Sequence, residues 1–158
     1  MPQFYFVQFF NPSHISTYKK NSLGMSKEKL LWKQRLIKAE NTLKILVNSI
    51  LSQDPTALII ILSDHGGYVG LDYTMQAKNK TEDRDLIYSM FSSQLSILWP
   101  EELKPETNLN IKSSVNIFRF LFSQLSEQMD LLNYLEPDES YIILNNNKNK
   151  GVYLYIDD

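Results

Sequence analysis

Residues 57–62 read Ala-Leu-Ile-Ile-Ile-Leu and run directly into Ser63-Asp64-His65-Gly66-Gly67. A short, unbroken apolar run rich in β-branched residues fits a strand covered on both faces, as strands in parallel sheets are. Its sudden end in a carboxylate, an imidazole and two glycines places polar chemistry where such a strand emerges. In open α/β sheets, ligands bind outside the carboxyl ends of the strands.

The flanking segments suit that frame. Residues 4–10 (Phe-Tyr-Phe-Val-Gln-Phe-Phe) are aromatic and β-prone, and their near-continuous apolarity predicts another strand with both faces covered. Asn11-Pro12 ends it, and a polar, turn-rich loop leads to Met25. Ser26 is a suitable N-cap, and Glu28 in the first turn complements the helix dipole. Trp32, Leu36, Ala39, Leu43, Leu46 and Ile50 then recur at helical spacing, predicting an amphipathic helix to about Ser52, stopped by Asp54-Pro55. Strand, helix and strand in succession predict a right-handed βαβ unit. The expected fold class is therefore α/β, a central, largely parallel sheet flanked by helices.

Beyond the loop of residues 68–85, a β-like stretch is expected from about Ile87 to Trp99, then loop from Pro100 to Ile111. Ser113 or Ser114 can cap a helix with Val115, Phe118, Leu121, Phe122 and Leu125 on its apolar side. Residues 141–144 and 152–156 read as strands joined by the turn-rich Asn-Asn-Asn-Lys-Asn-Lys-Gly run, a hairpin. No internal repeat or linker divides the chain, so residues 1–158 are expected to form one domain.

Composition closes off several functions. A net charge of -2 and the lack of a basic run with interleaved aromatics argue against a nucleic-acid binder. The absence of cysteine rules out disulfides and thiolate metal sites. No apolar run approaches the ~20 residues of a membrane span. Residues 4–10 are too short and lack the preceding basic residue of a signal segment, so an export signal or anchor is expected upstream if one exists.

Asp64 and His65 carry the most informative chemistry. A carboxylate and an imidazole at a strand end can converge on one divalent cation, and zinc and manganese both accept this pair. The adjacent glycines let the backbone turn and approach a ligand closely. The plain alternative is a strand-ending turn with an exposed Asp and His.

The run from Leu58 to Gly67 resembles the Ser-Asp-His-Gly metal motif of the alkaline phosphatase superfamily, closest to the sulfatase-like hydrolases and the phosphoethanolamine or phosphoglycerol transferases. The preceding long helix has the matching place. Ser114-Val115-Asn116-Ile117-Phe118-Arg119 is similar to a segment near the end of sulfatase-like domains, and Leu131-Leu132, Pro137-Asp138 and Ser140-Tyr141 resemble the residues just beyond that segment. The resemblance implies an incomplete alkaline-phosphatase-like domain, its C-terminal portion. It also implies a divalent metal on Asp64 and His65 (zinc or manganese, ahead of calcium) and a phosphate- or sulfate-ester substrate. An extracytoplasmic or periplasmic location goes with many such relatives.

In that family a strand like residues 4–10 leads to a loop histidine that binds the substrate's phosphate or sulfate. His14, in Asn11-Pro12-Ser13-His14, is a loose match, since no Pro-aromatic pair follows it and Gln8 stands where a further histidine often lies. A loop histidine can donate to an anionic oxygen; the alternative is an ordinary exposed side chain. Asn116 and Arg119, three apart on a helix, are read as structural ahead of catalytic. Lys78, Lys80 and Arg84 could line a mouth for an anionic substrate, or form a solvated loop.

The family's Thr, Ser or formylglycine nucleophile and a further acidic ligand come from an N-terminal half, and nothing in this chain stands in for them. Ser63 adjoins the pair, but neighbouring strand side chains point to opposite faces. The expectation is the C-terminal part of a metal-dependent ester hydrolase or phospho-headgroup transferase, with little turnover by itself and a partner in an N-terminal half or in self-association through an exposed sheet edge. The alternatives are a non-catalytic binding or assembly module that keeps the fold, and an unrelated α/β protein whose Asp64-His65 turn is incidental.

Overall fold

The computed structural model describes residues 3–105 and 111–157. Its longest element, helix α1 (Met25–Gln53), lies where the apolar spacing predicts. Ala39 is buried, and Trp32, Leu36, Leu43, Leu46 and Ile50 are half-buried beside it, while Lys33, Lys38, Glu40 and Lys44 face water. The helix start differs from the Ser26 cap. Gly24 occupies the cap position in a left-handed conformation (φ 88°), and the Met25 N–H is taken by Asp72 Oδ1 at 2.8 Å. A residue far along the chain thus does the work of a local cap.

Strand β1 (Ile59–Leu62) follows, then helix α2 (Arg84–Phe91) and strand β2 (Leu95–Leu98). The β-like stretch expected from Ile87 to Trp99 is therefore helix as far as Phe91 and strand only at Leu95–Leu98. Asp83 explains it: its side chain accepts from Asp85 N at 3.0 Å and Leu86 N at 3.3 Å, a helix N-cap, and Ile87 and Met90 fall three apart on the buried face. Helix α3 (Ile117–Ser126) and the hairpin of β3 (Ser140–Asn145) and β4 (Lys150–Ile156) complete the order, linked by short 3-10 turns. Five residues of the expected loop from Pro100 to Ile111, 106–110, lie outside the described residues.

The α/β expectation of a central, largely parallel sheet flanked by helices is overturned. The described residues form two separate two-stranded sheets, both antiparallel. Strand β1 pairs with β2, Ile59 opposite Leu98, and β3 pairs with β4. Residues 4–10 join no ladder and lie largely in solvent, Phe4 84% and Phe10 80% exposed, so no βαβ unit forms. The apolar run of β1 likewise alternates half-buried with exposed, Ile60 and Leu62 lying on the exposed face. An uninterrupted apolar stretch states that a strand is hydrophobic; it does not state which strand pairs with it.

A core cluster of Ile87, Met90 and Tyr155 joins α2 to the hairpin, with Tyr68, Ala77 and Ile142 packed on its margin. Helix α3 buries Ile117, Phe120 and Leu121 and exposes Val115, Phe118, Phe122 and Leu125, nearly the reverse of the expected face. Its sequence is apolar on several sides, so the pattern selects no face. Two tertiary contacts do: an edge-on contact of Phe120 with Trp99 at 6.1 Å, and the buried Asn116 at the helix start.

Candidate functional site

The Ser63–Tyr68 loop is held to α2 by two backbone hydrogen bonds, Gly66 N to Met90 O at 2.9 Å and Tyr68 N to Ser89 O at 3.0 Å. A Cβ at Gly66 would stand 2.2 Å from the Ser89 carbonyl oxygen, and one at Gly67 would stand 2.3 Å from the Trp32 indole nitrogen. Both glycines are thus demanded by close approach. Ser63 is not a nucleophile candidate: its hydroxyl accepts from Gln94 N at 2.7 Å, closing the end of the β1–β2 sheet.

A second loop docks onto the first. Ile15, 3% exposed, donates its N–H to Gly67 O. The Trp32 indole donates to Ser13 O at 2.9 Å and the Arg35 guanidinium to His14 O at 2.8 Å. Buried Glu28 accepts from Ser16 N, the Ser16 hydroxyl and Leu23 N. Burial alone would raise its pKa, but these hydrogen bonds and the Arg35 charge outweigh it and hold the carboxyl below its usual range. Helix α1 thus serves as the clamp that fixes His14.

The clamp brings His14 and His65 together. Their rings stack with centroids 5.0 Å apart and planes 12° from parallel, and Tyr68 stands edge-on to both at 5.7 and 5.5 Å. Tyr68 and Ser13, which precedes His14, both hold positive φ, 60° and 58°. Non-glycine residues occupy that region at a cost of about 1–3 kcal/mol, and such strain concentrates at functional sites. Burial, and then the Asp64 charge, push the Tyr68 pKa up, so its phenol stays a hydrogen-bond donor at neutral pH.

His65 Nδ1 lies 2.8 Å from the Gly66 carbonyl oxygen. A carbonyl only accepts, so Nδ1 carries the proton and the other ring nitrogen of a neutral imidazole presents a lone pair. That atom, Nε2, faces Asp64 Oδ2 at 3.5 Å, while Asp64 Oδ1 accepts from His65 N. Two lone-pair atoms facing each other repel unless something positive lies between them. The spacing exceeds the ~2.7–2.9 Å of a charge-assisted hydrogen bond. It matches the ~3.4 Å between two ligands of a tetrahedral ion with bonds of ~2.0–2.2 Å. The spacing admits a divalent cation, as it admits a proton on Nε2 in an ordinary ion pair. His14 does not complete such a set, because ring lone pairs lie in the ring plane and stacked rings aim them side by side. Among the described residues no group of three or more His, Cys, Asp or Glu is disposed to hold a metal ion.

His14, His65, Tyr68 and Lys78 line one cleft, of about 340 Å³, together with Thr74, Met75, Ala77 and residues 142–144. Of the three cations singled out in the sequence, Lys78 reaches this cleft. Lys80 instead pairs with Glu82 at 3.6 Å over the Tyr153 ring, and Arg84 is held by Tyr155 O and the Tyr88 hydroxyl. Tyr68 and the apolar lining escaped the sequence reading. An aromatic directly after the Gly-Gly pair was an available hint for Tyr68, whereas residues 142–144 carried no local signal.

Asn116 and Arg119 serve structure. The Asn116 amide donates to Glu136 O at 2.8 Å and accepts from Glu136 N at 2.9 Å, and Arg119 pairs with Glu136 at 3.1 Å. Asp138 accepts from Ser113 and Asn116 in the same latch.

No family model matches this chain, and no curated protein or solved structure matches it either. No helix among the described residues is long and apolar enough to cross a membrane.

Proposed function

We propose that this chain supplies the metal- and oxyanion-binding part of a phosphate- or sulfate-ester hydrolase, or of a phospho-headgroup transferase, in the manner of the alkaline phosphatase and sulfatase-like proteins that its Ser-Asp-His-Gly motif resembles. The observation that carries this reading is the placing of His65, with Nδ1 at 2.8 Å from the Gly66 carbonyl oxygen and Nε2 facing the Asp64 carboxylate at 3.5 Å. Asp64 and His65 hold the cation. A divalent ion there would offset charge on the ester oxygens and activate a nucleophile. His14 and the Tyr68 phenol donate to the ester's anionic oxygens, and Lys78 draws the anion into the cleft.

Two ligands hold zinc weakly, since catalytic sites use three. A further acidic ligand and the nucleophile come, on this reading, from residues outside these 158, and the chain by itself turns over little or nothing. That no third ligand stands beside the pair among the described residues also favours a second reading, a module that keeps the cleft for binding without catalysis.

Zinc and manganese uptake by the chain tests the site. Wild type takes up metal and the Asp64→Ala, His65→Ala double variant does not; equal uptake by the two sinks the proposal. Assays on aryl phosphate, aryl sulfate and phosphodiester, with and without a segment supplying a nucleophile and an acidic ligand, separate enzyme from module.

A further inference from the structure

The cleft beside Asp64 is chemically two-sided. His14, Tyr68 and Lys78 supply donors and positive charge beside His65, whereas Met75, Ala77 and Ile142 supply an apolar lining. The two linings are tied together: Asn146, in the turn after β3, donates to the Lys78 carbonyl at 2.6 Å, and Ala77 and Ile142 both pack on the core cluster. A free inorganic oxyanion would use the first lining and leave the second exposed to water. Small-molecule sites bury most of their ligand against apolar walls and orient it with a few polar groups. At about 340 Å³ the cleft stands near the lower end of the ~300–1,000 Å³ usual for such sites, so it admits a compact ligand.

The geometry points to an ester whose anionic phosphate or sulfate group meets His14, Tyr68 and Lys78 while a compact apolar alcohol, an aryl or short alkyl group, lies on Met75 and Ile142. Met75 is then the residue that sets specificity. This rests on the oxyanion reading of the same cleft and adds the class of alcohol to it.

Titration of the full chain with 1-naphthyl phosphate and with inorganic phosphate, followed by amide NMR shifts, tests the inference. Naphthyl phosphate should bind at least ~10-fold more tightly, the scale set by burying one ring face. Met75→Gln, and the truncation Met75→Ala as a second variant, should each cut that advantage to less than ~3-fold and leave phosphate affinity unchanged. Lys78→Met should weaken both ligands alike. Equal affinity for the two ligands, or an advantage that both Met75 variants preserve, overturns the apolar-alcohol assignment while phosphate binding leaves the oxyanion site standing. Binding of neither ligand overturns both.

Discussion

The His14 and His65 rings stack 5.0 Å apart and nearly parallel, joining two loops well separated in the chain. Because stacked imidazoles cannot aim their in-plane lone pairs at one point, the two histidines have different tasks. His65 shares a cation with Asp64, and His14 serves the anion. His14→Ala should therefore leave zinc uptake intact and weaken phosphate binding by about 10- to 100-fold, the worth of one hydrogen bond to a charged group. Calorimetry with each ligand separates the two effects. A His14→Ala protein that loses zinc would make His14 a metal ligand instead.

Gly66 and Gly67 should respond differently to alanine. The Cβ of Gly66→Ala meets backbone, Ser89 O at 2.2 Å and Ser89 C at 2.8 Å, and neither can move without breaking the contact with α2. We expect a loss near the upper end of the ~1–3 kcal/mol typical of overpacking. Gly67→Ala meets the Trp32 side chain, which can swing away at the expense of its bond to Ser13 O. Its mark should be a displaced Trp32 indole N–H resonance with a smaller stability loss. Urea unfolding of both variants checks the order; a Gly66→Ala protein as stable as wild type would contradict it.

Glu28 should make stability fall in acid. Its carboxyl is held below the ordinary range in the folded state, so its contribution is complete above the unfolded value, about 4.5, and is lost as pH drops through the folded value. Glu28→Gln should cost about 1.5–3 kcal/mol at pH 7, as expected for a hydrogen-bonded buried charge, and should flatten the pH dependence below about 4.5. Thermal melts from pH 3 to 7 give the comparison. Parallel curves for the two proteins would show that the clamp on the His14 loop does not depend on this charge.

Asn116 and Arg119 sit in one latch but should differ in weight. Asn116 is buried, and removing its amide leaves Glu136 N–H and C=O without their partner, a loss of about 1–3 kcal/mol. The Arg119–Glu136 pair is half-exposed and should be worth only about 0.2–1 kcal/mol. Denaturation midpoints of Asn116→Ala and Arg119→Ala measure both, and zinc uptake should match wild type in each. Lost uptake with unchanged stability in either variant would move that residue into the site.

Legibility in the sequence varied with how local the deciding interaction is. Helix α1 was readable because apolar residues recur at helical spacing from Trp32 to Ile50 and Asp54-Pro55 stops the run, even though Leu30, Ile37 and Ile45 lie off that stripe and are exposed. The β3–β4 hairpin was readable from two short β-prone runs about an asparagine-rich turn, where the Asn146 side chain accepts from Lys148 N and Asn149 N. Helix α2 could have been found from Asp83, a cap signal hidden behind β-prone residues. The face of α3 could not, because apolar residues surround it.

By itself the sequence determined where the long helix and the hairpin form and that Asp64 and His65 emerge together from an apolar strand, since periodicity, turn residues and chain adjacency are local properties. Tertiary structure alone decided that β1 pairs antiparallel with β2, that residues 4–10 stay outside any sheet, and that His14, Tyr68, Lys78 and β3 share one cleft with His65. Strand partners and cleft walls are chosen by contacts between distant segments, through hydrogen bonds such as Ile15 to Gly67 and Arg35 to His14, and no window of neighbouring residues encodes them.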